Sequence, residues 1–272
     1  MGAGLAEFLA ASARGGLLPW QAEQEAAARY GAGAREVEAA ALGSGLMPSR
    51  YARNAGTIGL AGQARLHAAT VVVAGCGGLG GYLVELLARL GVGAIVAVDP
   101  DSFEESNLNR QLLATVSSLG LPKAEAAARR IREINPAVIA RPVRAILDSR
   151  NAPAILEGAD AVADGLDRIE SRRDVASACA ALGVPFVHAA VAGWYAQATV
   201  QAPGSRAVEE LYGPREGAGV ESDLGNPAFA PALAAAIEAA ETCKLLLGLG
   251  RGLAGRLLSV DLLAMESAEF PL

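Results

Sequence analysis

From residue 70 onward, short apolar runs alternate with longer stretches in which apolar residues recur at helical spacing. The runs at 70–74 and 94–98 consist almost entirely of Val, Ile and Ala, which is typical of buried strands. Because strands that alternate with helices usually join one parallel sheet covered by helices, this pattern predicts an α/β fold. The predicted strands are Thr70–Ala74, Ala94–Val98, Val138–Arg144, Ala159–Ala163, Pro185–Ala190 and Trp194–Gln201, and the predicted helices are Leu79–Leu90, Lys123–Ile134 and Ile169–Leu182.

The C-terminal part of the chain follows a different pattern. Residues Pro203–Pro227 are rich in Gly, Pro and charged side chains, which predicts a long loop. A helix is predicted over Ala228–Leu247, and two terminal strands are predicted near Leu257–Leu262 and Met265–Phe270. Since only a short turn separates these two strands, we expect them to extend the mainly parallel sheet with antiparallel strands.

The first 48 residues differ from the rest of the chain. Three short helical patterns are broken at Gly15 and Gly16, at Gly31 and Gly33, and at Gly43 and Gly45, and Pro48 follows. We predict a small N-terminal helical extension over residues 1–48 and a main domain over residues 49–272. A helix-turn-helix over Gln21–Leu42 is an alternative, but the arginines there are balanced by glutamates, so DNA binding is not expected.

The composition is that of a globular protein without a basic surface. Hydrophobic residues make up 52% of the chain, charged residues make up 19%, and the net charge is −6. Nucleic acid is therefore not an expected partner. No uncharged apolar run is long enough to cross a membrane, and the N-terminus lacks the basic start of a signal peptide. We expect a cytoplasmic protein without membrane contact.

The three cysteines are Cys76, Cys179 and Cys243, which are widely spaced. An odd and sparse set without a CxxC pair argues against a disulfide framework and against a cysteine-based zinc site. We therefore expect no zinc, and we expect each cysteine to be a small buried apolar side chain.

A glycine-rich motif lies between the first strand and the first helix of the main domain. Gly75, Gly77 and Gly80 fit the pattern G-x-G-x-x-G, and Gly78 lies in the same turn. Such glycines let the backbone approach a phosphate, and the N–H groups of the helix N-terminus attract it. Asp99 ends the second strand, where an acid commonly accepts hydrogen bonds from ribose. These features predict a Rossmann-like, doubly wound sheet with a nucleotide site, but they do not separate NAD from ATP.

The sequence that follows is more specific. The segment Asp99-Pro-Asp101-Ser-Phe-Glu-Glu-Ser-Asn107-Leu-Asn-Arg110-Gln111 resembles the D-x-D-x-(V/F)-x-x-x-N-L-x-R-Q signature of the ThiF/MoeB/HesA family. Further matches are Arg50-Tyr51-Ala-Arg53-Asn54, Gly62-Gln63, Gly120-Leu-Pro-Lys123-Ala-Glu125, Ile134-Asn135-Pro136 and Asp164-Gly-Leu-Asp167. The resemblance spans about residues 50–270 in one order and spacing, so the chain is identified as a member of this family.

The resemblance implies an adenylyltransferase, in which a carboxylate attacks the α-phosphate of ATP and pyrophosphate leaves. Charge gathers on the phosphate oxygens during this step, so fixed cations and a magnesium ion are needed there. Lys123 is one of only two lysines in a chain with 23 lysines and arginines, which favours a specific use for its compact ammonium group. The residues implied in catalysis are Arg53, Arg110, Lys123 and Asp167, and those implied in nucleotide binding are Gly75, Gly77, Gly78, Gly80, Asp99, Asp101, Asn107 and Gln111.

The resemblance also assigns roles within this set. Arg110 and Lys123 would bind phosphates, and Asp167 would hold Mg²⁺. Asp99 would bind the ribose, while Asn107 and Gln111 would help to position the phosphates. Arg53 would reach into the site of a neighbouring subunit, so a homodimer is expected.

The implied substrate is a small β-grasp carrier protein ending in Gly-Gly, of the kind that serves molybdopterin, tungstopterin or thiamine synthesis. Its flexible tail would thread beside the Pro203–Pro227 loop. The paired CxxC zinc sites of many relatives are missing, and the loop contains no Cys. We therefore expect the chemistry to stop at the adenylate, with sulfur delivered by another protein. Trp194 and Tyr195 fit either a carrier-docking surface or the core, and His188 fits a structural role better than a ligand contact.

Three other functions remain open on the sequence alone. An NAD-dependent oxidoreductase would explain the glycine motif and Asp99, but not Asn107, Arg110, Lys123 and Asp167. An adenylating enzyme that cyclises a threonylcarbamoyl group on tRNA would use the same ATP site, but it needs a basic surface for RNA. A non-catalytic scaffold would be favoured by loss of Arg110, Lys123 or Asp167, and all three are present.

Overall fold

The computed structural model describes residues 2–213 and 221–272. Its helices are α1 (Gly2–Ser12), α2 (Trp20–Tyr30), α3 (Ala34–Gly43), α4 (Gly59–Ala68), α5 (Gly78–Leu90), α6 (Lys123–Ile134), α7 (Ala152–Leu156), α8 (Ile169–Leu182), α9 (Ala207–Tyr212), α10 (Glu221–Leu224) and α11 (Phe229–Leu247). Its strands are β1 (Leu17–Leu18), β2 (Met47–Pro48), β3 (Thr70–Ala74), β4 (Ala94–Val98), β5 (Ile139–Val143), β6 (Ala161–Asp164), β7 (Phe186–Ala192), β8 (Tyr195–Gln201), β9 (Arg256–Asp261) and β10 (Glu266–Pro271).

Eight of these strands form one sheet in the order β10-β9-β8-β7-β6-β3-β4-β5. The pairs from β7 through β5 are parallel, and the pairs from β7 to β10 are antiparallel. The chain adds β4 and β5 on one side of β3 and then returns to add β6 on the other side. This reversal opens a crevice at the carboxyl ends of β3, β4 and β6, where ligands bind in doubly wound folds. The predicted fold class is confirmed.

Both faces of the central strands are buried, which explains their continuous apolar sequence. Val71 and Val73 of β3 belong to the core formed with α5, α6 and α11. Val72 and Ala74 point to the other face and belong to the core formed with α7 and α8. A buried Val contributes on the order of 1.5–3 kcal/mol relative to an exposed one, so polar residues are excluded from either face.

The N-terminal segment contains the three predicted helices, α1, α2 and α3. They enclose a small core of their own, and the short parallel pair β1–β2 closes the segment. Two buried carboxylates tie it to the following turn, because Arg50 contacts Glu23 at 2.7 Å and Glu38 at 3.0 Å. Burial raises the pKa of Glu23 to about 7, although the charge of Arg50 opposes this shift. The division of the chain at residue 48 stays a prediction.

Four α-helices were not predicted from the sequence. The stretch predicted as a loop over Pro203–Pro227 contains α9 and α10, while residues 214–220 lie outside the described part of the chain. Helix α9 forms despite the Gly- and Pro-rich surroundings because Val208 is buried and its N–H donates to the Gln201 side chain at 3.1 Å. Helices α4 and α7 were also not predicted. The backbone carbonyl of Asp148 accepts the N–H of Ala152 at the start of α7.

The described helices include none that is both long enough and apolar enough to span a lipid bilayer. The alanine-rich α11 comes closest in sequence, but it carries Glu238 and Glu241, which are both buried inside the protein. This helix packs against α5 and against the β7 and β8 strands.

Candidate active site

The glycine turn between β3 and α5 is shaped by close backbone contacts. Gly75 has φ +91°, a left-handed conformation that other residues rarely adopt. A Cβ atom on Gly80 would overlap the carbonyl oxygen of Gly75, and one on Gly165 would lie 2.6 Å from the same oxygen. The turn therefore needs glycine at these positions in order to pack against the loop after β6. Gly77 and Gly78 leave the N-terminus of α5 open toward the crevice.

The crevice is a cleft of about 1,100 Å³. Of the predicted residues, those that line it are Gly75, Gly77, Gly78, Asp99, Asp101, Arg110, Gln111, Lys123 and Asp167. Gly80, Asn107 and Arg53 are not among the residues that line it. Nine separate positions along the sequence are thus brought to one surface by the ends of β3, β4 and β6 and by the segments that follow them.

Asp99 is buried at the end of β4 and organises the glycine turn. One carboxylate oxygen accepts the N–H of Cys76 at 2.7 Å, and the other accepts the N–H of Asp101 at 2.8 Å. Burial raises the pKa of Asp99, whereas these two N–H groups and Lys123 oppose the rise. Each oxygen retains a second lone pair that could accept a hydrogen bond from a ribose hydroxyl. The contact of Asp99 with a ribose stays a prediction.

Lys123 begins α6 and faces the cleft. Its backbone N–H donates to the Asp101 carbonyl at 2.8 Å, and its Nζ lies 3.1 Å from the Asp101 carboxylate. The side chain is only 9% exposed, so the ammonium group is held in one place. Arg110 is half-buried on the same cleft, and its Nη1 donates to the Ser106 carbonyl and to Asn109 Oδ1, both at 2.9 Å. Two fixed cations therefore line the same cleft as the glycine turn.

Asp167 lies in the loop after β6 and is exposed to the cleft. Within the described residues its carboxylate makes no hydrogen bond and no ion pair, so all of its lone pairs can serve a ligand. A magnesium ion usually takes one or two carboxylates and completes its shell with water and phosphate oxygens. The described ranges contain no group of three or more His, Cys, Asp or Glu arranged around a metal position. An exposed carboxylate beside a phosphate-binding turn fits a magnesium ion held mainly by nucleotide.

Asn107 and Gln111 have different positions. The Asn107 side chain accepts the N–H of Glu104 at 3.0 Å, and its carbonyl accepts the N–H of Gln111 at 2.9 Å. Asn107 thus shapes the turn that presents Gln111, and its predicted contact with phosphate stays a prediction. Gln111 is buried and lines the cleft, and its Oε1 has no hydrogen-bond partner among the described residues.

Arg53 lies apart from the other predicted residues. It is exposed in the turn that follows Tyr51, and in the part of the chain that the structure describes it forms no hydrogen bond or ion pair. It does not line the cleft of its own chain. The neighbouring Arg50 and Tyr51, by contrast, are fixed by Glu38.

A set of polar residues that the sequence analysis did not bring together lies under the cleft. We call Asp164, Arg172, His188 and Tyr212 the Asp164 network. His188 is fully buried, with Nδ1 2.6 Å from Asp164 and Nε2 3.1 Å from the Tyr212 hydroxyl. Both ring nitrogens of His188 are thus hydrogen-bonded, and its structural role stays a prediction. Arg172 was not identified from the sequence because its contacts with Asp164 and Tyr212 depend on how α8 and α9 pack on the sheet.

The aromatic residues after β7 are not part of the core. Trp194 is 44% exposed and Tyr195 is 49% exposed, so a core position for this pair is wrong. Trp194 packs against Phe229 with ring centroids 4.6 Å apart. The cysteines have the positions expected of inert side chains, since Cys76 and Cys179 are fully buried. Burial raises the pKa of each of the three thiols.

Comparison with known proteins adds to this geometry. A sequence model described as the ThiF family matches residues 51–272, which is most of the chain. The chain belongs to the ThiF family. The SAMP-activating enzyme E1 of Haloferax volcanii is 37% identical to it over 227 residues, covering 82% of this chain and 84% of that protein. The sulfur carrier protein adenylyltransferase of Thermus thermophilus is 38% identical over 217 residues, covering 76% of this chain and 79% of that one.

Other members of the ThiF family are longer. The chain spans about half of the adenylyltransferase and sulfurtransferase MOCS3 of Xenopus laevis, with 34% identity and 47% of that protein covered. Among solved structures, PaaA matches with a TM-score of 0.69 at 19% identity and 82% coverage of both chains, a likeness that shows the fold alone. The predicted ThiF/MoeB/HesA membership and the predicted adenylyltransferase class are confirmed.

Proposed function

We propose that this ThiF-family chain uses ATP and Mg²⁺ to adenylate the C-terminal carboxylate of a small β-grasp carrier protein ending in Gly-Gly. The observation that carries the proposal is a single cleft lined by the glycine turn, Arg110, Lys123 and Asp167. The names of the Haloferax and Thermus relatives point to carrier proteins as the substrates of those enzymes.

The residues suggest how the chain would stabilise the reaction. The N–H groups at the start of α5 would bind phosphate oxygens, because the turn around Gly77 and Gly78 leaves them open. Lys123 and Arg110 would face the charge that gathers on the α-phosphate as the carboxylate attacks, and both are held in place before substrate binds. Asp167 would hold the magnesium ion, which would neutralise charge on the phosphates.

Part of the cleft is lined by residues of β7 and β8. They include Ala189, Ala190, Ala192 and Ala196 together with the larger Val191, Tyr195 and Gln197. The carrier tail would run along these two strands, with its terminal carboxylate toward the glycine turn.

A homodimer with Arg53 acting in the partner's cleft is part of the same proposal. Its support is that Arg53 is exposed and does not line the cleft of its own chain. Closed twofold pairing is the commonest form of homo-oligomer, and it would supply each cleft with one Arg53. The segment before β3 is held by Arg50 and Tyr51, so the exposed arginine projects from a fixed base.

The proposal predicts ATP–pyrophosphate exchange that depends on magnesium and on a carrier with a free C-terminal carboxylate. Radiolabelled pyrophosphate should enter ATP when the intact carrier is present, because the adenylate forms reversibly. A carrier whose last glycine is amidated is the matched control, since it keeps the tail but lacks the attacking group. Equal exchange with both carriers, or reduction of a nicotinamide cofactor without exchange, would reject the proposed function. Exchange driven by tRNA alone would favour the threonylcarbamoyl alternative.

We further expect that no cysteine of this chain is needed for the adenylate. Cys76 and Cys179 are fully buried, and Cys243 is partly buried on α11, so none offers a reactive thiolate to a carrier. The variant Cys76→Ala, Cys179→Ala, Cys243→Ala should keep carrier-dependent exchange within about threefold of wild type, as expected for conservative changes outside the reacting groups. A reductant-sensitive carrier–enzyme band that one single variant abolishes would contradict this expectation. Stoichiometric zinc in the purified protein would contradict the prediction of a zinc-free chain.

A further inference from the structure

The hydrogen bonds of the Asp164 network are all donated toward the Asp164 carboxylate, either directly or through a neighbouring side chain. A carboxylate can only accept, so His188 donates from Nδ1 to Asp164. Burial lowers the pKa of His188, and the neutral ring can accept the Tyr212 hydroxyl proton at Nε2. Arg172 donates to Asp164 at 2.7 Å and to the Tyr212 oxygen at 3.1 Å. The four side chains therefore form a closed ring of hydrogen bonds under the cleft.

One side of the network holds the residue before Asp167. The N–H of Leu166 donates to Asp164 Oδ1 at 2.9 Å, and the carbonyl of Leu166 accepts a hydrogen bond from Arg172. Both peptide groups of Leu166 are thus fixed by members of the network. Because Asp167 follows directly, the direction of its carboxylate into the cleft depends on these two bonds.

The other side of the network reaches a different segment. Tyr212 is the last residue of α9, in the connection between β8 and α11, and it lines the cleft. Helix α9 is attached to the sheet through Val208, which is buried and whose N–H donates to Gln201. Tyr212 therefore links His188 and Arg172 to the α9 segment, and it lines the same cleft as Asp167.

The charges within the network favour a fixed geometry. Burial opposes the ionisation of Asp164, but Arg172 and His188 outweigh it and hold the pKa of Asp164 below its usual value. Glu238 lies beneath and accepts the Asp164 N–H at 3.0 Å. Burial and the charge of Asp164 raise the pKa of Glu238 well above its usual value. Asp164 and Arg172 form an ion pair at 2.7 Å, and a buried network of hydrogen-bonded side chains rigidifies its surroundings.

We propose that the Asp164 network is a positioning device that fixes Asp167 in the cleft and makes its placement depend on Tyr212. The inference rests on the proposed function, since Asp167 matters there as the magnesium-binding residue. A carrier tail entering the cleft would meet the same Tyr212 that fixes the Asp167 loop. Tail binding and metal placement are thereby coupled through one hydroxyl group. His188, Arg172 and Tyr212 act through Asp167 and are positioning residues.

The first test needs no substrate. Hydrogen–deuterium exchange of the amides at 164–168 is measured in the full chain without ATP or metal. Tyr212→Phe removes one hydroxyl far along the network from Leu166, and it should speed exchange at Leu166 by about tenfold as the loop opens more often. Tyr82→Phe is the matched control, because Tyr82 is half-buried on α5 outside the cleft and outside the network. Equal exchange rates in both variants would overturn the inference.

The second test uses carrier-dependent pyrophosphate exchange. Tyr212→Phe and His188→Asn should each raise the magnesium concentration for half-maximal rate by about tenfold, the scale for losing a hydrogen bond in a charged network. The KM for ATP at saturating magnesium should stay within about twofold, which separates mispositioning from general loss of structure. The double variant should be no worse than either single one, because both break the same link. The inference would be overturned if the double variant showed the product of the two single shifts in the half-maximal magnesium concentration. It would also be overturned if neither single variant shifted that concentration.

The two tests also separate this inference from the proposed function. If wild-type protein shows no carrier-dependent exchange, the proposed function fails, and the amide exchange at Leu166 alone decides whether the network positions the loop. If wild type is active and both variants match Tyr82→Phe, the proposed function stands and the positioning role is wrong. His188→Asn keeps a donor toward Asp164, so it provides a second variant if Tyr212→Phe proves unstable.

Discussion

Lys123→Ala is expected to lower carrier-dependent pyrophosphate exchange by about a hundredfold or more, the scale for removing a preorganised charge from a transition state. Lys123 is 9% exposed on its side chain and is held by Asp101, so the cation does not need to reorganise when charge develops on the α-phosphate. The loss should appear mainly in kcat, because the interaction strengthens as the carboxylate attacks. The rate is measured with labelled pyrophosphate at saturating ATP and carrier.

The chain offers a matched control for this variant. Lys244 is the only other lysine, and it lies on α11, where it pairs with Glu241 away from the cleft. Lys244→Ala removes the same group from a half-buried ion pair outside the cleft, so the variant is checked for folding and should leave exchange near wild type. If both lysine variants had the same activity, Lys123 would have no special role in the reaction.

Arg110→Ala and Asp167→Ala should cause losses of similar size for different reasons. Arg110→Ala removes a second cation from the proposed phosphate site, and no excess of metal should restore the rate. Asp167→Ala removes the proposed magnesium ligand, so part of the loss should be recovered as magnesium is raised. The control for Arg110 is Arg129→Ala, because Arg129 forms an exposed ion pair with Glu133 on α6. Wild-type exchange in both cleft variants would refute their assignment.

The sequence predicted those features that depend on residues close together along the chain. The strands β3 and β4 were predicted to the residue because burial on both faces demands unbroken apolar runs. The glycine turn was predictable because backbone crowding at Gly75 and Gly80 admits no side chain. Nine of the residues that line the cleft were predicted from the glycine motif and the family signature, which fix their spacing after β3, β4 and β6.

The sequence was uninformative where a contact depends on how the elements pack. Arg172 follows Asp164 and Leu166 by only eight and six residues, but it reaches them because α8 packs on the sheet. Helix α9 was hidden because its Gly- and Pro-rich surroundings favour a loop, whereas burial of Val208 decides its conformation. The exposure of Trp194 was equally open, because an aromatic residue at the end of a strand fits the core and the surface alike.

Arg53 provides the second prediction, which concerns assembly. Arg53→Ala and Lys123→Ala should each be inactive alone, and mixed dimers of the two should regain activity. Arg53 is exposed and does not line its own cleft, so its contribution is expected in the partner's cleft. The two variants are unfolded and refolded together so that subunits pair at random, and dimer exchange is checked by differently tagged chains.

The expected size of the recovery follows from counting sites. If Arg53 acts in the partner, each mixed dimer has one cleft with both residues intact and one cleft with neither. About half of the dimers are mixed and half of their clefts work, so activity should return to about a quarter of wild type. If Arg53 serves its own chain, every cleft lacks one residue and no activity returns. A mixture of Arg53→Ala with wild type, refolded in the same way, controls for losses during refolding. If dimers that are shown to have exchanged subunits recover no activity, the action of Arg53 across the interface is rejected. A trans-acting Arg53 would give every mixed dimer one intact cleft.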